Sequence, residues 1–98
     1  MRFEIVFAPE AAKQFTRLPA YDRATLRDAL ETHLRHEPHK VSKSRIKRLR
    51  GLSRPQYRLR VNQLRVFYDI IDQEVQILAI IAKEEAEAWL REYGTGEA

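Results

Sequence analysis

The sequence predicts an α+β domain in the order β-α-α-β-β-β-α, a small antiparallel sheet packed on a helix pair. Three observations carry that prediction. A short alternating segment, Arg2-Phe3-Glu4-Ile5-Val6-Phe7, opens the chain, and two proline-bounded stretches with helical apolar spacing follow it. Three strand-like runs joined by two-residue turn signals then fill residues 57–82. With 98 residues there is material for one domain, and an apolar content of 44% supports an ordinary core rather than a disordered chain. The domain is placed at residues 1–93, with Gly94-Thr95-Gly96-Glu97-Ala98 as a flexible C-terminal tail.

In the first segment the apolar side chains alternate with polar ones, the period of a strand. Ala8-Pro9 ends it, because proline fits the first turn of a helix but not a strand interior. From Glu10, the positions Ala11, Phe15 and Leu18 give one apolar stripe, closed by Pro19. A second helix is expected from about Tyr21. Leu26, Leu30 and Leu34 recur in it every four residues with Ala29 and His33 beside them, and Pro38 stops it.

Residues 39–56 form a basic segment in which only Val41, Ile46 and Leu49 can anchor to a core. Leu49-Arg50-Gly51 is the expected turn into the sheet. The strands Tyr57–Val61, Leu64–Ile71 and Glu74–Ala82 follow, with Asn62-Gln63 and Asp72-Gln73 as connections. The last element, Glu84 to Tyr93, carries Ala86, Leu90 and Tyr93 on one helical face with Trp89 adjacent.

Composition removes several function classes. The chain has no cysteine, which excludes disulfide scaffolds, thiolate zinc sites and cysteine nucleophiles. It shows no leader-like run and no apolar stretch of membrane-spanning length, so a cytoplasmic protein without a membrane partner is expected. The net charge is +4, yet Lys40, Lys43, Arg45, Lys47, Arg48, Arg50, Arg54, Arg58, Arg60 and Arg65 occur without one intervening carboxylate. Glu84, Glu85, Glu87 and Glu92 gather near the C-terminus instead. Such segregation suits a polyanion or an acidic partner, against the plainer alternative of a solvated basic surface.

Folding the hairpin at Asn62-Gln63 shows where that charge goes. A two-residue turn sets Val61 against Leu64, Arg60 against Arg65, Leu59 against Val66, and Arg58 against Phe67. Tyr57, Leu59, Val61, Leu64, Val66 and Tyr68 then face the helices, and Arg58, Arg60 and Arg65 face away together. Two arginines opposed across a strand pair cost some tenths of a kcal/mol. In return, three guanidiniums on neighbouring strands form a rigid donor array for phosphate oxygens. Phosphates tolerate any base sequence, so the array gives affinity without base specificity. The alternative is a solvent-facing surface whose arginines pair with nearby acids, Asp69 first among them.

These residues resemble the RelE/ParE toxin superfamily. The resemblance covers nearly the whole chain, including Lys13, Leu18 and Leu49-Arg50-Gly51. It is strongest in Tyr57-Arg58-Leu59-Arg60-Val61 and Leu64-Arg65-Val66-Phe67-Tyr68-Asp69-Ile70. It implies a fold like that of small microbial ribonucleases and, for the RelE branch, cleavage of mRNA in the ribosomal A site. There the ribose 2′-hydroxyl attacks the adjacent phosphate, leaving a 2′,3′-cyclic phosphate and a 5′-hydroxyl. Position by position, Arg58 and Arg60 would grip the phosphate, Arg65 would stabilise charge in the transition state, and Lys83 would supply a further basic group. Trp89 falls about where the family often has a C-terminal tyrosine, and could stack on a base. Lys43, Arg45, Lys47, Arg48 and Arg50 are the remaining RNA-binding candidates.

Arginine stays protonated at cellular pH, so the general acid and base are not assigned by these positions. No metal or cofactor is expected, and a structural role is the reading for His33, His36 and His39. Glu84 and Glu87 are expected to complement the N-terminal dipole of the last helix. By parity, Phe67, Leu78 and Ile80 should share the arginine face, covered by the last helix or a partner. The resemblance further implies a cognate antitoxin as partner, with mRNA and ribosomal RNA as targets and operator DNA reached only through the antitoxin. Three classes stay open: a ribosome-dependent mRNA endoribonuclease, a ParE-like inhibitor of DNA gyrase, and a catalytically silent antitoxin-binding or co-repressor protein.

Overall fold

The structure, a computed structural model, describes residues 1–96. In chain order its elements are β1 (Glu4–Phe7), α1 (Pro9–Arg17), α2 (Ala20–Leu34), β2 (Ile46–Arg48), β3 (Leu52–Arg54), β4 (Tyr57–Val61), β5 (Leu64–Ile71) and β6 (Glu74–Ala82). A 3₁₀ turn (Lys83–Glu85), α3 (Ala86–Tyr93) and β7 (Thr95–Gly96) complete the chain. The main sheet has the order β1-β6-β5-β4-β2, with β1 parallel to β6 and every other pair antiparallel. The α+β class and the principal order therefore match the sequence-based expectation. The parallel β1 and the short strands β2, β3 and β7 are additions to it.

The core forms where α2 meets the inner face of the sheet. Leu26, Leu30 and Leu34 pack with Leu59, Val61, Val66, Tyr68, Val75 and Ile77, all buried. Their spacing in α2 puts one side chain per turn against a surface of β-branched and aromatic residues. Burying each large side chain contributes about 1.5–3 kcal/mol. Tyr68 is fully buried, and its hydroxyl donates to the Pro38 carbonyl at 2.6 Å, fastening the chain after α2 to the sheet. Arg35, just beyond α2, fastens the same end by donating to the Phe3 carbonyl at 2.9 Å.

Ile46 is buried in β2 and anchors the basic segment, Leu49 is half-buried, and Val41, the third proposed anchor, is 56% exposed. Period-2 alternation could not reveal β2, since Ile-Lys-Arg holds a single apolar residue. Gly51, at φ 76°, takes the left-handed conformation that turns the chain from β2 into β3, as the Leu49-Arg50-Gly51 turn requires. Thr95–Gly96 pairs antiparallel with β3, so these residues are paired where a loose tail is expected, and residues 97–98 lie outside the described part.

Parity fails at one place on β6. Between Phe67 and Tyr68 the register shifts, because Phe67 pairs with Ala79 and Tyr68 with Ile77, leaving Leu78 as the extra residue. One inserted residue exchanges the faces of everything beyond it. Ile80 consequently pairs with Val66 and lies in the core, not on the arginine face, which Ala79 and Ile81 share instead. The Ile80 backbone N–H, next to this irregularity, donates to the Gln14 side-chain carbonyl at 2.7 Å.

Candidate nucleic-acid interface

The β4–β5 hairpin has the register that its sequence predicts: Arg58 opposes Phe67, Leu59 opposes Val66, and Arg60 opposes Arg65. Asn62, at φ 52°, supplies the left-handed turn residue. Leu59 and Val66 are fully buried toward the helices, so the odd-even alternation carries Arg58, Arg60 and Arg65 to the opposite face. Strand β2 extends this surface, since Lys47 pairs with Arg58 and the Arg60 N–H donates to the Arg45 carbonyl at 2.9 Å. Two ranks of side chains result. One runs Lys47, Arg58, Phe67, and the other runs Arg45, Arg60, Arg65.

Each arginine sits differently. Arg60 is exposed. Arg65 is 9% exposed, and its Nη1 donates at 2.9 Å to the carbonyls of both Asn62 and Leu64, which holds the guanidinium beside the hairpin turn. Arg58 is half-buried, and its buried Nε finds no hydrogen-bond partner among the described residues. Burial first, then the charges of Arg65 and Arg60, pulls the Arg58 guanidinium below its ordinary pKa. Burial and then Arg60 do the same to Arg65, against a smaller opposing pull from Glu84. Mutual repulsion of this kind requires the groups to be close. It is relieved when an anion enters.

Asp69 does not serve the array. Its carboxylate accepts the Gln56 N–H at 2.8 Å and pairs with Arg54 at 3.3 Å. Among the described residues no carboxylate forms an ion pair with Arg58, Arg60 or Arg65.

The other candidates divide. Lys83 is exposed in the 3₁₀ turn, where its N–H donates to the Gln63 carbonyl at 2.8 Å, so it stands beside the same hairpin turn. Lys43, Arg45, Lys47 and Arg50 are exposed. Arg48 is exposed too, and its guanidinium lies 5.2 Å from the Tyr57 ring centroid and donates to the Leu49 and Gln56 carbonyls, bracing β2 against β4. Trp89 is engaged on one face. Its indole stacks on Phe67 with centroids 4.9 Å apart and planes 9° apart, so that face is closed to a base. Phe67 lies on the arginine side yet is fully buried, because α3 covers it.

Sequence reasoning did not single out Ser44 or Asn62 as site residues, yet both line a cavity of about 290 Å³ with Arg45 and Arg60. Asn62 was legible only as a turn residue, and nothing in the sequence marks Ser44. His33 lines a neighbouring cavity of about 330 Å³ with Thr32, His36, Glu37, Lys40, Ser42, Arg45 and Ile46. Burial, and secondly the Arg45 charge, lowers its pKa from 6.5. The unfolded chain therefore takes up this proton at higher pH than the folded one does, and stability falls as pH drops through 6.5. The urea midpoint is expected to decline between pH 7 and 5, with a weaker decline in His33→Gln. Among the described residues no group of three or more His, Asp or Glu side chains could hold a metal, and no helix is long and apolar enough to cross a membrane.

Comparison with known proteins gives this surface a context. The chain is similar to a protein in the toxin–antitoxin complex RelBE2 of Mycobacterium tuberculosis, with a TM-score of 0.68, 24% identity, and coverage of 84% of this chain and 99% of that one. It is similar to one in the archaeal RelE-RelB complex of Pyrococcus horikoshii, with a TM-score of 0.64, 25% identity, and coverage of 85% and 97%. A chain of the RelB-RelE antitoxin–toxin complex of Methanococcus jannaschii shares the fold, with a TM-score of 0.64, 15% identity, and coverage of 86% and 96%. No curated protein sequence matches. Residues 5–87 match the family of the ParE toxin of the type II toxin–antitoxin system parDE. That match spans α1, α2 and all three long strands, and with it this chain belongs to the ParE toxin family, within the RelE/ParE superfamily of type II toxins.

Proposed function

We propose that this toxin is a metal-independent endoribonuclease that cleaves mRNA in the ribosomal A site and is neutralised by a cognate antitoxin. The observation that carries the reading is the cluster of Arg58, Arg60 and Arg65, unpaired with any described carboxylate, with a buried Arg58 N–H left without a partner. Buried donors are normally satisfied. A donor held unpaired beside two like charges is what an anion site needs before its ligand arrives. The similar chains were solved as toxin–antitoxin complexes, which supports an antitoxin partner whose acidic residues answer the same cations. Operator DNA is then reached through that antitoxin.

In the reaction, the ribose O2′–P bond forms and the P–O5′ bond breaks, leaving a 2′,3′-cyclic phosphate and a 5′-hydroxyl. One proton leaves the 2′-hydroxyl and one reaches the departing oxygen. Arg58 and Arg65 occupy diagonal positions of the hairpin, close enough for both to act on the charge growing on the phosphoryl oxygens. Lys83, exposed beside the same turn, is a further cation available to the reaction. Neither arginine accepts a proton near neutral pH. Electrostatic stabilisation without a resident base favours mRNA that the ribosome has already ordered for in-line attack, rather than free RNA. The cytoplasm, where ribosomes work, is the matching compartment.

Inhibition of DNA gyrase is the second reading. It is favoured by the match to the ParE family and by α3, which presents Glu87 and Glu92 and carries no phenol at Trp89. Primer extension on cellular mRNA after induction separates the two. Codon-phased cuts that disappear in Arg65→Ala and Arg60→Ala support the nuclease, and intact mRNA with double-strand DNA breaks supports gyrase. The Arg60 variant guards against misreading Arg65→Ala, which also loses the bonds to the turn.

A further inference from the structure

We propose that the cavity lined by Ser44, Arg45, Arg60 and Asn62 is a second phosphate subsite, seating the phosphodiester adjacent along the strand to the one held by Arg58. This rests on the reading of the arginine face as a single-stranded RNA site, and it specifies how much RNA that face engages. The cavity is small, about 290 Å³, and its lining holds two cations, a hydroxyl and an amide without a carboxylate or a large apolar side chain. Those are phosphate-binding groups, and a base would find no stacking surface there.

Its placement is set by the sheet. Arg58 and Arg60 lie two residues apart on β4, on one face, so their Cα positions are separated by about 6.7 Å along the strand. That is comparable to the step between neighbouring phosphates of an extended single strand. Cross-strand neighbours differ between the two positions. Arg60 has Arg45 on one side, through the Arg60 N–H to Arg45 carbonyl bond, and Arg65 on the other, whereas Arg58 has Lys47 on one side and Phe67 on the other. Arg65 is turned toward the hairpin turn by its bonds to the Asn62 and Leu64 carbonyls. Two anion positions, one at Arg58 and Lys47 and the other at Arg60 and Arg45 with Arg65 opposite, are therefore separated along β4 by one nucleotide step.

Ser44 and Asn62 make this more than a patch of charge. Asn62 owes its place to the left-handed turn between β4 and β5, and Ser44 precedes β2, so the backbone of two different strand connections presents them. A hydroxyl and an amide can each donate to a phosphate oxygen that two guanidiniums have already drawn in.

The test uses the full chain and 2′-O-methyl trinucleotides, which cannot be cleaved, carrying two phosphodiesters or a neutral methylphosphonate at one linkage. For the wild type, neutralising either linkage should weaken binding about tenfold, the loss of one charge-assisted contact. Arg45→Gln and Ser44→Ala, both at exposed positions, should weaken binding of the all-diester trimer. They should also abolish the sensitivity to one linkage while leaving the other intact. Variants that stay equally sensitive to both linkages would overturn the second subsite and leave the RNA reading standing. Absence of binding of any trimer to the wild type would also overturn the subsite, whereas the RNA reading stands or falls with codon-phased cleavage on the ribosome.

Discussion

Replacing Arg58 by methionine is expected to abolish toxicity and to stabilise the fold at the same time. Most losses of activity by substitution come with a loss of stability, so opposite signs are diagnostic. Arg58 is half-buried, its Nε lacks a partner among the described residues, and Arg65 and Arg60 repel it. An unsatisfied buried polar group costs about 1–3 kcal/mol, and the partial exposure of this one places the expected gain near the lower end, about 1 kcal/mol. For a domain of this size that corresponds to a thermal midpoint raised by roughly 4–8 °C. Methionine keeps the unbranched stem that packs between Lys47 and Phe67 and removes only the charged head. Loss of a donor aimed at transition-state charge lowers turnover by about 10²–10³-fold. Cleavage measured on programmed ribosomes and urea unfolding of the same preparation give both signs. A variant that is inactive and also less stable would make Arg58 a structural residue. Arg58→Lys, which keeps the charge but not the fork, should fall between.

How much of this was legible beforehand depended on whether alternation could count residues. The β4–β5 hairpin could be read because a two-residue turn between alternating strands leaves one register, and that register fixed which arginines converge. Beyond Tyr68 the same rule misplaced Ile80, since an inserted Leu78 is invisible to a pattern that has no independent marker of the bulge. Strand β2 was hidden for a different reason. Its hydrogen bonds to β4 come from backbone, while its side chains, apart from Ile46, were selected for charge. Arg48 and Trp89 show the limit of assigning roles by residue type. One guanidinium and one indole that look suited to RNA are occupied by Tyr57 and by Phe67, and only coordinates reveal those partners.

The pair formed by Phe67 and Trp89 carries the second large effect. Phe67→Ala is expected to destabilise the protein by about 3–5 kcal/mol, the usual cost of removing a buried phenylalanine. Folded domains hold only about 5–15 kcal/mol, so the variant should be marginal at growth temperature. The loss should also be uneven. Helix α3 has no fully buried residue, and it is held by the Phe67–Trp89 stack together with the short β3–β7 pairing at its far end. Removing the aromatic attachment should let α3 detach before the sheet unfolds. Trp89 is the only tryptophan, so its fluorescence reports the surroundings of α3, where it contacts Phe67 and Tyr93. In urea, the emission of the variant should shift red before far-ultraviolet circular dichroism changes, whereas the two signals of the wild type should coincide. Coincident transitions in the variant would mean that α3 is integral to the sheet rather than laid over it. Early separation would mean that the arginine face has a detachable edge, bounded by an aromatic stack whose loss bares Phe67 beside Arg58.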